Sequence, residues 1–304
     1  MSETLFARRT FVQLASAGAA SALVGLPRFG GARAQAPEPN GSGVRLGVAS
    51  YSLRKFPRAK AIELTTALGV KYINLKSVHL DYDASQAEVD AARKEVEAAG
   101  LTLVGGGTIT FAKDTDEDVR QYFEYCRAAG IPLITGTGTP AVMPRVEKFA
   151  KQYDIKVAIH NHGPEDKSFP SPYDVLKVVK DMDPRMGLCI DVGHTVRTGT
   201  DVVKAVLDAG PRLLDMHVKD LADMSAKDSQ VAVGEGKLPF PAIFRALQTI
   251  KYPGYVNLEY EINAKDPLPG MQVSFAYMRG VLAGMTPSKV AMTPTAKSAT
   301  TARG

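Results

Sequence analysis

Short apolar and β-branched runs alternate with longer segments of helical periodicity along the chain from residue 44 onward. The short runs have the length of buried strands, and the longer segments have the length of helices that cover a sheet. The predicted strands are 44–49, 72–75, 102–105, 133–135, 156–160, 187–191, 214–217 and 255–259. The predicted helices are 58–68, 86–99, 116–129, 142–153, 172–182, 201–209, 241–250 and 271–282.

This alternation predicts βαβ units and a parallel sheet. Eight such units in about 240 residues match a (β/α)8 TIM barrel, which we predict for residues 44–284. An open doubly wound sheet is the alternative, but no G-x-G-x-x-G motif follows the first predicted strand. Gly105-Gly106-Gly107 lacks that spacing, and we interpret it as a loop.

The N-terminus has the composition of an export signal. Arg8 and Arg9 precede an apolar stretch between Leu14 and Leu26, and small residues around Ala34 follow as a cleavage site. The arginine pair resembles the twin-arginine signal of bacteria, so we predict a signal peptide over 1–34, a linker over 35–43 and a periplasmic or secreted protein. A membrane anchor is the alternative, but about 13 apolar residues fall short of the roughly 20 that span a bilayer. We expect no membrane span after signal removal.

The formal charge of +5 belongs to the two ends of the chain. Residues 1–34 carry +3, the last twenty residues carry +3, and the remainder carries −1. The body therefore has no basic excess for a phosphate backbone, and we expect no nucleic-acid partner. Residues 285–304 lack periodicity and are mostly Ala, Thr, Ser, Pro, Lys and Met, which predicts a disordered tail.

The two cysteines, Cys126 and Cys189, lie 63 positions apart without metal-finger spacing. Cys126 falls in a helical pattern and Cys189 in an apolar strand. A disulfide is an option outside the cytoplasm, but we interpret both as buried free thiols.

Metal-capable side chains end four of the predicted strands. His160, Asp191, His217 and Glu259 each close an apolar run, and the carboxyl ends of barrel strands form the face that carries active sites. Two imidazoles and two carboxylates suit Mn²⁺, Co²⁺, Zn²⁺ or Fe²⁺, so we predict a divalent metal site. Each of these residue types taken alone is more often a capping or salt-bridged polar group than a metal ligand.

Four segments resemble the xylose-isomerase-like TIM barrels known as sugar (phosphate) isomerases/epimerases, over residues 44–284. The segments are Ile190-Asp191-Val192-Gly193-His194, His217-Val218-Lys219-Asp220, Gly234-Glu235-Gly236 and Leu258-Glu259-Tyr260-Glu261. The resemblance implies metal ligands at Asp191, His217 and Glu259. The family has a Glu as its strand-5 ligand, where this chain has His160. Because the family's epimerases use the strand-5 and strand-8 carboxylates as an acid–base pair, the resemblance implies that this pair is broken here.

The resemblance implies proton removal from a carbon next to a carbonyl of a keto-sugar. Export argues for an unphosphorylated carbohydrate as the small-molecule partner. Loss of the strand-5 Glu favours β-elimination or hydration of a keto-glycoside, that is, a lyase. The alternatives are a sugar isomerase or epimerase and a non-catalytic sugar-binding protein. An AP-endonuclease-like nuclease would need a basic groove and more ligands. The sequence is compatible with a homo-oligomer and with a monomer.

Several polar residues near the strand ends are candidates for the chemistry. Candidates for the base are Lys76, His79, His162, Lys219, Glu259 and Glu261. Lys76 fits a salt-bridged or solvated lysine equally well. We expect His162 and His194 to contact substrate or to support the ligands. Glu235, between two glycines, resembles the family's mobile substrate loop, with a solvated turn as the alternative.

Overall fold

The computed structural model describes residues 43–285. Its eight parallel barrel strands are β1 Arg45–Ala49, β2 Tyr72–Leu75, β3 Thr102–Thr110, β4 Leu133–Thr137, β5 Lys156–His160, β6 Met186–Asp191, β7 Leu213–Val218 and β10 Tyr255–Leu258. Two short strands, β8 Asp220–Leu221 and β9 Gln230–Val231, form a separate antiparallel hairpin. The barrel closes because β1 pairs in parallel with both β2 and β10. The predicted TIM barrel is confirmed.

Helices connect the strands and cover the outside of the barrel. They are α1 Arg58–Ala67, α2 Gln86–Ala98, α3 Asp116–Ala129, α4 Met143–Tyr153, α5 Pro172–Val179, α6 Val192–Arg197, α7 Val202–Ala209, α8 Phe240–Thr249 and α9 Leu268–Met285. In α3, Val119, Phe123 and Cys126 recur at helical spacing and are fully buried. Thr115 caps its first turn and Gly130 ends it in the left-handed region.

Two local expectations differ from the structure. The interpretation of Gly105-Gly106-Gly107 as a loop is wrong, since all three lie inside β3. Glycine is required at position 107, where φ is +130° and a Cβ would collide with the Thr135 carbonyl oxygen of β4. The short helix α6 was not predicted, and it begins directly after Asp191, whose carboxylate accepts a hydrogen bond from His194 N at 2.8 Å.

A buried polar layer lies inside the barrel, below its carboxyl end. Asn74 donates to Thr135 at 3.0 Å, and Thr135 donates to Asp215 at 2.8 Å. Asn257 donates to the other Asp215 oxygen, also at 2.8 Å. Because β4 and β7 are not neighbours, the contact between Thr135 and Asp215 crosses the interior. Asp215 and Asn257 are followed two residues later by His217 and Glu259, so the next inward layer carries the predicted ligands.

The ends of the chain lie outside the described residues. The predicted signal peptide over 1–34, almost all of the linker and the tail from residue 286 therefore stay predictions. Among residues 43–285, no helix combines the length and the apolar character needed to cross a membrane.

Candidate metal and substrate site

Four side chains from adjacent strands converge at the carboxyl end of the barrel: His160, Asp191, His217 and Glu259. One ligand atom from each lies within 4.8 Å of all the others. His160 Nε2 is 3.5 Å from Asp191 Oδ2, and His217 Nδ1 is 3.3 Å from Glu259 Oε2. The strand register brings them together, since Asp191 lies opposite His217 across β6 and β7. All four are buried.

The ligand atoms are unusual because several have no hydrogen-bond partner. Within residues 43–285, both ring nitrogens of His160, both of His217 and Oδ2 of Asp191 are buried and make no hydrogen bond. Buried polar atoms in proteins are nearly always hydrogen-bonded, and exceptions require a cause. Imidazole nitrogens and a carboxylate oxygen with unused lone pairs are the donors that a divalent cation accepts. The residues therefore fit a divalent metal ion.

The ionisation states also suit a cation. Burial lowers the pKa of His160, which keeps its imidazole neutral and able to donate a lone pair. Burial alone would raise the pKa values of Asp191 and Glu259, but the charge of Lys219 and the neighbouring imidazoles together lower both. For His217, burial would lower the pKa, but the negative charge of Glu259, together with that of Asp215 and Asp191, raises it, so a cation that binds there would displace the ring proton. The two carboxylates are thus held as anions.

Lys219 lies among the carboxylates rather than in solvent. Its Nζ is 3.1 Å from Asp191 Oδ2 and 3.0 Å from Glu259 Oε2, and it also contacts Glu261 Oε1. Although burial opposes it, these three anions raise the pKa of Lys219 well above its usual range. A Cβ on Gly193 would lie 2.6 Å from Lys219 Cγ, so the lysine stem can pass only because residue 193 is glycine. Lys219 is a charged group and does not serve as a neutral base.

Asn161 and Thr195 fix the backbone around Asp191. Asp191 N donates to Asn161 Oδ1 at 3.0 Å, and Asn161 Nδ2 donates to Thr195 Oγ1 at 3.1 Å. Thr195 Oγ1 in turn donates to the Asp191 carbonyl at 2.6 Å. The His-Asn-His run contained this asparagine, but its partner could not be read from the sequence, since it lies 34 positions away.

Ser52 and Gln230 hold the segment that follows β10. Tyr260 N donates to Ser52 Oγ at 2.8 Å. Gln230, on the β8–β9 hairpin, donates through Nε2 to the Glu259 carbonyl at 2.9 Å and accepts from Glu261 N at 3.0 Å. Sequence reasoning missed both residues, because a serine and a glutamine in connecting segments carry no distinguishing pattern.

His162 and His194 stand beside the four convergent side chains. The ring centroids of His162 and His194 are 5.6 and 5.8 Å from that of His160 and 4.5 Å from each other. Burial lowers the pKa of His194 to about 3, so its ring is neutral. Arg197 Nη1 lies 3.2 Å from His194 Nδ1. Because a guanidinium can only donate, the ring proton resides on Nε2, which leaves an N–H donor for another group.

Of the remaining predicted residues, Lys76 lies near the site, whereas His79 and Glu235 lie apart from it. Burial lowers the pKa of Lys76, partly offset by Glu259 and Glu261, and its Nζ lies 5.1 Å from the Tyr51 ring centroid. His79 is not in the histidine cluster: its nitrogens lie 2.9 Å from Ser50 Oγ and 3.3 Å from the Leu53 carbonyl.

Glu235 is likewise not among the convergent groups. Its side chain is exposed on a turn whose flanking residues Gly234 and Gly236 donate to Asp220 Oδ2 at 2.9 and 3.1 Å. The solvated-turn interpretation fits this placement better than a contact with the ligands.

Comparison with known proteins agrees with this architecture. The sequence model of the family described as "Xylose isomerase-like TIM barrel" matches residues 62–280, and the chain belongs to that family.

A curated relative, an uncharacterized protein of Methanocaldococcus jannaschii, is 24% identical over 143 residues, which cover 45% of this chain. The match spans about half of that relative's length, 47%. An uncharacterized protein of Parabacteroides distasonis has a similar structure, with a TM-score of 0.62, 25% identity, and 78% of this chain and 99% of the other covered.

Two solved structures of similar fold are sugar epimerases. D-psicose 3-epimerase gives a TM-score of 0.65 at 18% identity, with 79% of this chain and 100% of that chain covered. The 3-keto-D-glucoside 4-epimerase of E. coli gives 0.62 at 15% identity, with 78% and 99% covered. At these identities the likeness shows the fold.

Proposed function

We propose that the protein is a metal-dependent carbohydrate enzyme that removes a proton next to the carbonyl of an unphosphorylated keto-glycoside and then eliminates the β-oxygen. The observation that carries the proposal is the set of four buried ligand groups, three of which, His160, Asp191 and His217, have nitrogen or oxygen atoms without a hydrogen bond among the described residues. The family relationship supports sugar chemistry at this face of the barrel. The paired arginines near the N-terminus support a periplasmic or secreted location, where sugar phosphates are scarce.

His160, Asp191, His217 and Glu259 would hold the cation, which we propose is Mn²⁺, Co²⁺, Zn²⁺ or Fe²⁺. When bound, it would stabilise the negative charge that develops on the carbonyl oxygen of the substrate.

We assign proton removal to Lys76. Burial lowers its pKa, which increases the fraction of neutral amine that can accept a proton. Lys219 is held as an ammonium by its three carboxylate neighbours, so it stabilises charge instead. Lys76 takes the proton at C2 of a 3-keto-glycoside, and the C2–H electron pair forms the C1=C2 bond as the C1–O bond breaks. The leaving oxygen keeps the C1–O electron pair and takes a proton from solvent, while the Nε2–H of the neutral His194 ring donates a hydrogen bond to it.

We favour elimination over epimerisation because β5 contributes an imidazole and not a second carboxylate opposite Glu259. Glu259 and Glu261 both follow β10, whereas β5 ends in the neutral imidazole of His160. Epimerisation by two bases needs an acceptor on each face of the sugar. An epimerase acting on the same substrate class is the second candidate, favoured by the family and by its epimerase neighbours.

The test is a nuclear magnetic resonance assay in D₂O with a 3-keto-glucoside and the metal-loaded protein. Release of the free aglycone supports elimination, whereas deuterium at C2 of an intact glycoside supports the epimerase. Neither product, with Mn²⁺, Co²⁺, Zn²⁺ or Fe²⁺ added in turn, would overturn the enzyme proposal for this substrate class.

Lys76→Met should lower the rate by about 10²–10⁴-fold, the usual contribution of a general base. Lys71→Met is the matched control, because Lys71 is exposed and precedes β2 at the opposite end of the barrel. A full rate in Lys76→Met would remove Lys76 from the role of base.

A further inference from the structure

A buried thiol lies next to the two imidazoles of the site. Cys189 is a free cysteine in β6 and is fully buried. A second set of potential ligand atoms, from His160, Cys189 and His217, also lies within 4.8 Å of one another. Cys189 is opposite His160 in the β5–β6 register and two positions before Asp191 in its own strand. Alternate residues of a strand share a face, so Cys189 and Asp191 both face the interior.

The two imidazoles have four ring nitrogens, and a metal ion bound by both rings would use only one nitrogen of each. Both nitrogens of His160 and both of His217 are buried without a hydrogen bond among residues 43–285. In a metal site a ligating histidine almost always gives its second N–H to a carboxylate, carbonyl or water. The nearest carboxylates, Asp191 at 3.5 Å from His160 and Glu259 at 3.3 Å from His217, form no hydrogen bond with the rings and are themselves candidate ligands. The rings are therefore not committed to the Asp191–Glu259 side and can bind a cation jointly with Cys189.

We propose that Cys189 is itself a ligand, so that the site binds its cation with a thiolate and two imidazoles in addition to carboxylate oxygen. This inference rests on the proposed metal site and adds the class of metal that it selects. Thiolate and imidazole donors favour Zn²⁺, Co²⁺ or Fe²⁺ over Mn²⁺ and Mg²⁺, which prefer oxygen. The imidazole of His160, where the family resemblance leads one to expect Glu, shifts the donor set in the same direction. Binding exchanges the S–H bond for a sulfur–metal bond and releases the thiol proton to solvent.

The experiment is a Co²⁺ titration of chelator-treated protein, followed by absorption spectroscopy. The chain has two cysteines, so Cys126→Ser leaves Cys189 as its sole thiol. Cys126 is buried in α3, away from any cluster of potential ligands found among residues 43–285, which makes it the matched control. The wild type and Cys126→Ser should both develop a near-ultraviolet thiolate-to-cobalt charge-transfer band at one equivalent of Co²⁺.

Cys189→Ser, and Cys189→Ala as a second variant, should lose this band and bind Co²⁺ at least about tenfold more weakly. They should keep visible cobalt absorption from the remaining ligands, and circular dichroism checks their fold. Visible cobalt absorption without the band in Cys126→Ser overturns the thiolate ligand but leaves the proposed function standing. A charge-transfer band that persists in both Cys189 variants would also overturn the assignment of Cys189 as a ligand. Absence of Co²⁺ binding in the wild type overturns both the ligand and the metal site.

Discussion

Replacing His160 by leucine should separate the stability of the fold from its response to metal. The imidazole is buried, and neither nitrogen makes a hydrogen bond among the described residues. A buried polar group left unsatisfied costs about 1–3 kcal/mol. Leucine has a similar volume and no polar atom, so the metal-free His160→Leu protein should match the wild type or exceed it by about 1–2 kcal/mol.

The metal-loaded state should behave in the opposite way. A cation present at about 100 times its dissociation constant stabilises the wild type by about 2.7 kcal/mol. At roughly 2–4 °C per kcal/mol for a barrel of this size, the wild-type Tm should rise by about 5–11 °C. The Tm of His160→Leu should rise by much less, because the loss of one ligand group weakens metal binding. The assay is thermal unfolding by circular dichroism of chelator-treated protein, with and without Zn²⁺.

His79→Leu is the matched control, because His79 is equally buried but its nitrogens contact Ser50 and the Leu53 carbonyl. Its loss should destabilise the metal-free fold by about 1–3 kcal/mol and leave the metal response intact. A metal-induced rise of wild-type size in His160→Leu would refute the reasoning. So would a loss of several kcal/mol in the metal-free variant.

Three further outcomes follow from the geometry. Gln230→Ala removes the two hydrogen bonds from the Gln230 side chain to the segment around Glu259, and isothermal titration calorimetry should show metal affinity reduced by about 10–100-fold; unchanged affinity would contradict this. Lys219→Met removes the ammonium group beside Asp191 and Glu259, so urea unfolding of the metal-free protein should show a free energy of unfolding lower by about 3–5 kcal/mol. Zn²⁺ should then stabilise this variant more than it stabilises the wild type. Since burial holds the pKa of His194 at about 3, the unfolded chain binds a proton below about pH 6.5 that the folded chain does not. Stability is therefore lost as the pH falls, by about 2 kcal/mol from this residue at pH 5, and urea titrations should show a flatter pH profile for His194→Asn than for the wild type; an equally steep profile would contradict this.

The barrel could be predicted because its signals are local. Each strand is a short apolar run, and each helix repeats its buried positions every three or four residues. The glycine run in β3 was wrongly interpreted as a loop because glycine is a usual loop signal, whereas Gly107 is required by its positive φ and by the nearby backbone of Thr135 in β4. Helix α6 was not predicted because its six residues are too few to show a helical periodicity.

The candidate site was predictable in its members but not in its contacts. Strand ends place His160, Asp191, His217 and Glu259 on one face, which the sequence pattern indicates. The position of Lys219 among three carboxylates depends on the path of its side chain past Gly193, which no pattern reveals. Cys189 was correctly expected to be a buried free thiol, yet its proximity to the imidazoles depends on the β5–β6 register.

Assignment of His160, Asp191, His217 and Glu259 to one divalent cation is tested most directly by anomalous diffraction from Zn²⁺-loaded crystals. We predict one strong peak at the carboxyl end of the barrel, about 2.0–2.2 Å from an imidazole nitrogen of His160 and of His217 and from a carboxylate oxygen. A fully loaded crystal with no peak among these side chains, or with its peak elsewhere, would contradict the assignment.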